Sequence, residues 1–290
     1  MKIAILGTSP IMVLMAHKLS KKNDITIFEQ SKNYGGAWSW SKFFGSNINT
    51  KTNVVLPASS KQESLQKKII DFFLSEFKIK AKITDNSYFF QDRIYKTKKL
   101  YEFDLFNSYK KIFLNPKIKI KRKKVININL KEKIIINNAH EFDKLYVPFF
   151  FGINKYQILG KVIKTNYKII TSKHLFIACK ENIFKNFYYN ENFNNFLNRA
   201  QVQKRGNTFF FRARIKKKYK KYSLQKLIRL NVEKKFINRI ITAKIIKYNH
   251  YFRNKDQLKM LNKIIRKNKI YLVDTREFVM SFLKYKLYKR

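Results

Sequence analysis

Gly7, Glu29 and the pair Gly35-Gly36 are the residues whose types and spacing point to chemistry in this chain. A glycine closing a short apolar run supplies the positive φ that a tight turn needs. An acid closing the next apolar run offers a carboxylate to the hydroxyls of a ribose. Secondary-structure signals flank them on either side. Lys2–Leu6 is a β-branched, apolar run and predicts a buried strand; Gly7-Thr8-Ser9-Pro10 breaks it. Ile11–Leu19 predicts an apolar helix, and Ile25–Phe28 a second strand ending on Glu29. Strand, turn, helix, strand and acid within about 30 residues is the plan of a nucleotide-binding βαβ unit. The helix N-terminus would present unpaired N–H groups and a positive dipole end to a pyrophosphate. Against the fingerprint G-x-G-x-x-G, the three glycine positions hold Gly7, Ser9 and Met12, so only the first glycine is kept. Ser9 is small enough for a phosphate to approach, whereas Met12 is bulky where helix and strand normally close up. Thr8 and Gln30, beside Gly7 and Glu29, complete the candidate contacts. A packed scaffold with a decayed nucleotide site is the competing reading.

After a spacer of five residues, Glu29 is followed by Gly35-Gly36 and then Ala37-Trp38-Ser39-Trp40. This stretch resembles the start of the flavoproteins that include amine oxidases, protoporphyrinogen oxidases and UDP-galactopyranose mutases; GGAW is also similar to flavin monooxygenases. The resemblance implies FAD as cofactor, with the paired glycines passing its phosphates. Ala37 and Trp38 would lie along it, and Trp38 or Trp40 would form part of the flavin wall. Two further pieces follow the same family in the same order. In KIKIKRKKVININLKEKIIINNAHEFDKLYVP, Val125 takes the adenine-contact place and Asp143 the edge of a small meander. Near the C-terminus, KIYLVDTREF resembles the family's closing strand–Gly–Asp–helix, with Val273 in place of the glycine and Asp274 as the cofactor-contacting acid. A plain helix N-cap is the other reading of Asp274.

The expected fold class is α/β: a discontinuous Rossmann-like FAD/NAD(P)-binding domain with an inserted α+β substrate domain. Residues 1–60, 100–150 and 262–290 are assigned to the dinucleotide domain, and 61–99 and 151–261 to the substrate region. The resemblance implies a flavin-dependent oxidoreductase moving a hydride from a small substrate to FAD. A mutase-like flavoenzyme acting on a sugar nucleotide, with Arg212 or Arg214 at the diphosphate, and a non-catalytic scaffold stay open beside it. No catalytic residue is assigned, because the family's flavin-facing lysine has no distinct place among so many lysines.

Composition sets bounds on these readings. The 290 residues hold 64 Lys+Arg against 18 Asp+Glu, a net charge of +46. Such a charge attracts polyanions non-specifically at low salt. Lysine outnumbers arginine, and Ile, Asn, Phe and Tyr are abundant as well, which reads as compositional drift rather than specific nucleic-acid recognition. The basic runs KRKK at 121–124 and KKKYKKY at 216–222 are accordingly expected to be solvated strand ends and turns. The single cysteine, Cys179, lies in an apolar strand, and His17, His140, His174 and His250 lack ligand spacing, so no metal site is expected. No apolar run reaches the roughly 20 residues of a membrane span. A cytoplasmic protein is expected, and a signal peptide at 3–16 is disfavoured by Gly7, Pro10 and the βαβ pattern that follows.

Overall fold

A computed structural model describes residues 1–35, 40–49, 105–130, 132–148, 168–184, 192–252 and 269–273, with shorter pieces between them. The fold is α/β. A five-stranded parallel sheet runs in the order Ile270–Val273, Lys144–Pro148, Lys2–Leu6, Asp24–Phe28, Ile118–Lys121. It therefore joins strands far apart in sequence, with the first strand at its centre. Alternation along that strand sends side chains to both faces. Ala4 and Leu6 join Phe28, Val125, Phe142, Leu145, Val147 and Ile270 in one buried cluster. Ile3 and Ile5, on the other face, are also fully buried. A strand buried on both sides is what an apolar, non-alternating sequence requires.

The first helix spans Pro10–Leu19 and starts with proline at its first position, where a missing N–H is harmless. Pro10 to Ala16 are all buried, because this helix packs against the sheet and against a second helix, Leu105–Phe113. Asn115 Nδ2 donates to Ser20 Oγ at 3.0 Å, tying the ends of the two helices, and Pro116 prevents the second from continuing.

The meander is present as Ile128–Leu130, Ile134–Ile136 and His140–Phe142, antiparallel in register. The run Val125–Leu130 predicts a strand, but the strand begins only at Ile128. Asn137 explains the difference: its Oδ1 accepts from Ile126 N–H at 2.9 Å and its Nδ2 donates to Lys124 C=O at 2.9 Å. Those bonds hold 124–126 as a loop while Val125 stays buried. Asn137 and Asn138 both take positive φ (51° and 57°), a conformation asparagine tolerates.

Asp143 lies at the start of the strand Lys144–Pro148, accepting from Lys2 N–H of the central strand at 2.8 Å and from the Lys133 ammonium. Lys133, and after it the Lys2 N–H, hold this carboxyl below the usual carboxylate range. Its unfolded value is about 3.9. Its contribution to stability is therefore fully present above that value and is lost as pH falls through the lower folded value. Asp143→Asn should lower the melting temperature at neutral pH, and the gap to the parent protein should narrow below about pH 4. A constant gap in a pH series of thermal melts would contradict this role.

A seven-stranded sheet forms the second layer, in the order Ile240–Phe252, Lys168–Cys179, Thr208–Ile215, Leu197–Arg205, Tyr189–Asn190, Tyr88–Phe90, Arg93–Tyr95. One face carries Leu175, Ile177, Cys179, Val202, Phe211, Ala213 and Ile215 and is covered by a helix at Leu224–Asn231. Burial pushes the Cys179 thiol up to about 12, so it is a core residue rather than a nucleophile. Tyr219 and Tyr222 of the basic run pack into the same cluster, Tyr219 edge-on to Phe196. Both rings are half-buried and serve the core. The opposite face carries Phe176, Ala178 and Phe210, which meet Phe43.

Turn residues scattered over 41–60 predict a loop there, yet Phe43 belongs to a hairpin, Trp40–Phe43 with Ser46–Asn49. Its turn, Phe44-Gly45, takes positive φ at both positions (47° and 71°), the backbone of a tight hairpin. Phenylalanine in the first place hides this turn from a search for Asn-Gly or Asp-Gly. Among the described residues, no helix is long and apolar enough to cross a membrane. The helical spacing of Leu65, Ile69, Phe72, Phe73 and Phe77 predicts a helix over 63–77; it and the terminal helix implied after Asp274 fall largely or wholly outside the described residues.

Candidate functional site

The site is built where the first strand hands over to the first helix. Gly7 has φ 79°, and its N–H donates to the Phe28 carbonyl at 2.7 Å, so the turn is stitched to the end of the second strand. Ser9 is the residue before the helix, but its hydroxyl makes no cap bond to the first turn, and its Oγ is buried without a partner. The first turn of this helix therefore has no side-chain cap. Met12 is fully enclosed by protein, so its thioether packs in the interior and does not stand in the approach to the helix N-terminus.

Glu29 is only 4% exposed, yet it is a carboxylate with three hydrogen bonds. Oε2 accepts from Thr8 N–H at 3.0 Å and from Thr8 Oγ1–H at 2.5 Å; Oε1 accepts from Ser31 N–H at 2.8 Å. An ionised carboxylate has about four acceptor positions. One remains, on Oε1, which suits a single ribose hydroxyl. Gly35, at φ 103°, donates its N–H to Thr8 Oγ1 at 2.8 Å, so the first glycine of the pair lies against the turn after the first strand. Tyr109, on the second helix, donates its hydroxyl to the Thr8 carbonyl at 3.0 Å. Burial, and then the nearby Glu29 charge, push this phenol well above its ordinary value, so it stays a donor.

Basic and aromatic groups rim the acid. The Arg122 guanidinium lies 3.8 Å from the Tyr34 ring centroid and also donates to the Ser31 carbonyl. Tyr34 in turn meets Phe113 edge-on at 4.8 Å. The segment 31–35 is thereby pinned between the end of the sheet and the second helix. Lys121 Nζ lies 3.2 Å from His140 Nδ1, and burial followed by Lys121 and Lys123 holds this imidazole below its ordinary value. The His140 ring lies beside that of Phe28, 5.8 Å between centroids.

The candidates from the sequence fall into three groups. Gly7, Thr8, Ser9, Glu29 and Gly35 are brought together; Met12 lies in the core behind them, and Gln30 is exposed. Val125 is 1% exposed and packs with Phe28 and Phe142 under the meander, at the same end of the sheet. Gly36, Ala37, Trp38 and Asp274 lie outside the described residues. Sequence reasoning missed Ser31, Tyr109 and the Arg122–Tyr34 pair. Only Ser31 had a signal, since a backbone N–H two residues past an acid commonly turns back to it. Among the described residues there is no cluster of His, Cys, Asp or Glu that could hold a metal ion.

The residues present fit a dinucleotide: an uncapped helix N-terminus, an orphaned Ser9 hydroxyl beside it, and an acid with an acceptor position left. The chain is similar in structure to putrescine oxidase bound to putrescine, with a TM-score of 0.62 at 8% identity over 100% of both chains. It is also similar to the CLA-producing fatty acid isomerase from P. acnes (TM-score 0.60, 11% identity, 99% of this chain and 98% of that one). An oxidoreductase from Methanosarcina mazei gives a TM-score of 0.56 at 10% identity, over 98% of this chain and 100% of that one. No family model and no curated protein sequence matches the chain. At these identities the likeness shows the fold alone, an α/β fold that this chain shares with those proteins.

Proposed function

We propose that this chain is a flavin-dependent oxidoreductase that holds FAD across the turn at Gly7 and transfers a hydride from a small substrate. The observation that carries the reading is Glu29: a buried carboxylate at the end of the second strand, beside an uncapped helix N-terminus, with an acceptor position left. The fold it shares with putrescine oxidase and the M. mazei oxidoreductase supports the same assignment.

In this reading Glu29 accepts a ribose hydroxyl, the first turn of the helix faces the pyrophosphate, and Gly35 and Gly36 leave room for the backbone to approach it. Val125 contacts the adenine side, and Asp274 meets the far half of the cofactor. The dinucleotide domain comprises 1–60, 100–150 and 262–290, with 61–99 and 151–261 as the substrate region. When bound, FAD supplies the hydride acceptor; the chain binds, orients and excludes water. The face of the seven-stranded sheet that meets Phe43 would wall the substrate side. It carries Phe176, Phe210, Gln201, Gln203 and Arg212, all buried.

A second reading keeps FAD and replaces net oxidation with sugar-nucleotide chemistry. It is favoured by Arg212, which is 5% exposed and donates to Gln201 Oε1 at 3.0 Å, with Arg214 two residues along the same face. A diphosphate would suit those guanidinium forks. The deciding measurement for both is the visible spectrum of protein purified in high salt, with mass analysis of what heat releases. A flavin spectrum and the mass of FAD are expected. Colourless protein that also takes up no added FAD would sink both readings and leave a non-catalytic scaffold.

A further inference from the structure

Thr8 is fully buried, and its short side chain touches both halves of the proposed cofactor site. A threonine hydroxyl has one hydrogen to give and two positions at which to accept. Gly35 N–H is a donor, so Thr8 Oγ1 accepts from it at 2.8 Å. Its single hydrogen is then committed to Glu29 Oε2, at 2.5 Å. The direction of the chain is fixed: Gly35 N–H to Thr8 O–H to the Glu29 carboxylate. Bonds that end on a charge are the strong ones, and successive bonds polarise one another in a buried site. The backbone of Thr8 is held as well, its N–H by Glu29 and its carbonyl by Tyr109. Alanine or glycine in this place would leave the acid and the diglycine stretch unconnected.

We infer that Thr8 is a positioning residue that makes Glu29 and the Gly35 backbone one mechanical unit, so that a nucleotide seated on Glu29 is felt in the stretch that follows Gly35. The inference rests on the placement of the adenosine half at Glu29. It concerns the linkage, not the flavin chemistry. The sequence supplies its own reporter: the chain has two tryptophans, Trp38 and Trp40, and both lie just beyond Gly35-Gly36.

The probe is ADP, which carries the ribose and pyrophosphate but no flavin ring to quench emission directly. It is titrated into the full-length chain freed of nucleotide, with calorimetry for affinity and tryptophan emission for the linkage. The parent protein and Thr8→Ser are expected to bind ADP with a saturable emission change following the calorimetric curve. Thr8→Val should still bind, more weakly by about tenfold for a lost charge-assisted bond, but with most of the emission amplitude at saturation gone. If Val is not tolerated, Thr8→Ala lacks the same hydroxyl and reads the same way. Amplitude at full occupancy is insensitive to affinity, so a merely structural role would leave it unchanged. An undiminished amplitude in the hydroxyl-free variants would overturn the linkage, as would parent protein that binds ADP with silent tryptophans; either result leaves the cofactor assignment intact. Parent protein that binds neither ADP nor FAD would overturn the placement at Glu29 itself.

Discussion

Glu29→Ala is expected to yield protein that purifies without flavin. The substitution removes the acceptor for the ribose and at once strands two buried donors, Thr8 N–H and Thr8 Oγ1–H, and a third, part-buried one, Ser31 N–H. A buried donor left unsatisfied costs about 1–3 kcal/mol, so the variant should also melt at a markedly lower temperature. Glu29→Gln separates the two effects. Its amide oxygen can still accept from Thr8, but its NH2 then faces Ser31 N–H, donor against donor, and offers nothing to a hydroxyl hydrogen. A hydrogen bond to a charged group contributes about 1.5–3 kcal/mol, so FAD affinity should fall about 10- to 100-fold with a smaller loss of stability. Equilibrium dialysis against FAD checks the first number and thermal melts the second. Retention of FAD at parental affinity in Glu29→Gln would remove this carboxylate from the binding site.

Phe211→Ala should produce the largest loss of stability outside the site. Phe211 is 1% exposed, stacks on Phe184 at 3.9 Å and 14°, and meets Phe193 at 5.3 Å. Truncating a buried phenylalanine to alanine costs about 3–5 kcal/mol, because the lost contacts and the cavity add. Since Phe211 and the Phe43 cluster lie on opposite faces of the sheet, the folded fraction should keep any flavin it binds. Urea unfolding measures the first effect, and the flavin-to-protein absorbance ratio the second. A loss below about 1 kcal/mol would mean the cluster collapses around the cavity.

The central strand order shows how far pattern reaches. Lys2–Leu6, Ile25–Phe28 and the closing strand Ile270–Val273 form as read, because each is a short apolar run bounded by turn or polar residues. Of the long pair Lys168–Cys179 and Ile240–Phe252, only the apolar end around Cys179 reads as a strand from its sequence. Ile240–Phe252 mixes lysine and asparagine with isoleucine, and only its pairing with a buried neighbour along twelve residues makes it a strand. The hairpin at 40–49 was missed because its turn runs Phe44-Gly45, and propensity alone gives phenylalanine no claim to positive φ.

The candidate site divides in the same way. Gly7, Glu29 and Gly35 were legible because turn, acid and spacing leave a mark in one dimension. Met12, a departure from the usual glycine, is absorbed by packing, which no linear pattern discloses. The βαβ unit, the acid that ends it and the glycines that follow are written into the order of residues, since local backbone preference and strand-to-strand spacing suffice for them. Folding adds the rest: Thr8 bridges Glu29 to Gly35, Tyr109 reaches Thr8 across about a hundred residues, and Arg122 stacks on Tyr34. Hydrogen bonds between segments distant in sequence depend on where the sheet order and helix packing place them, and that placement is a property of the whole folded chain.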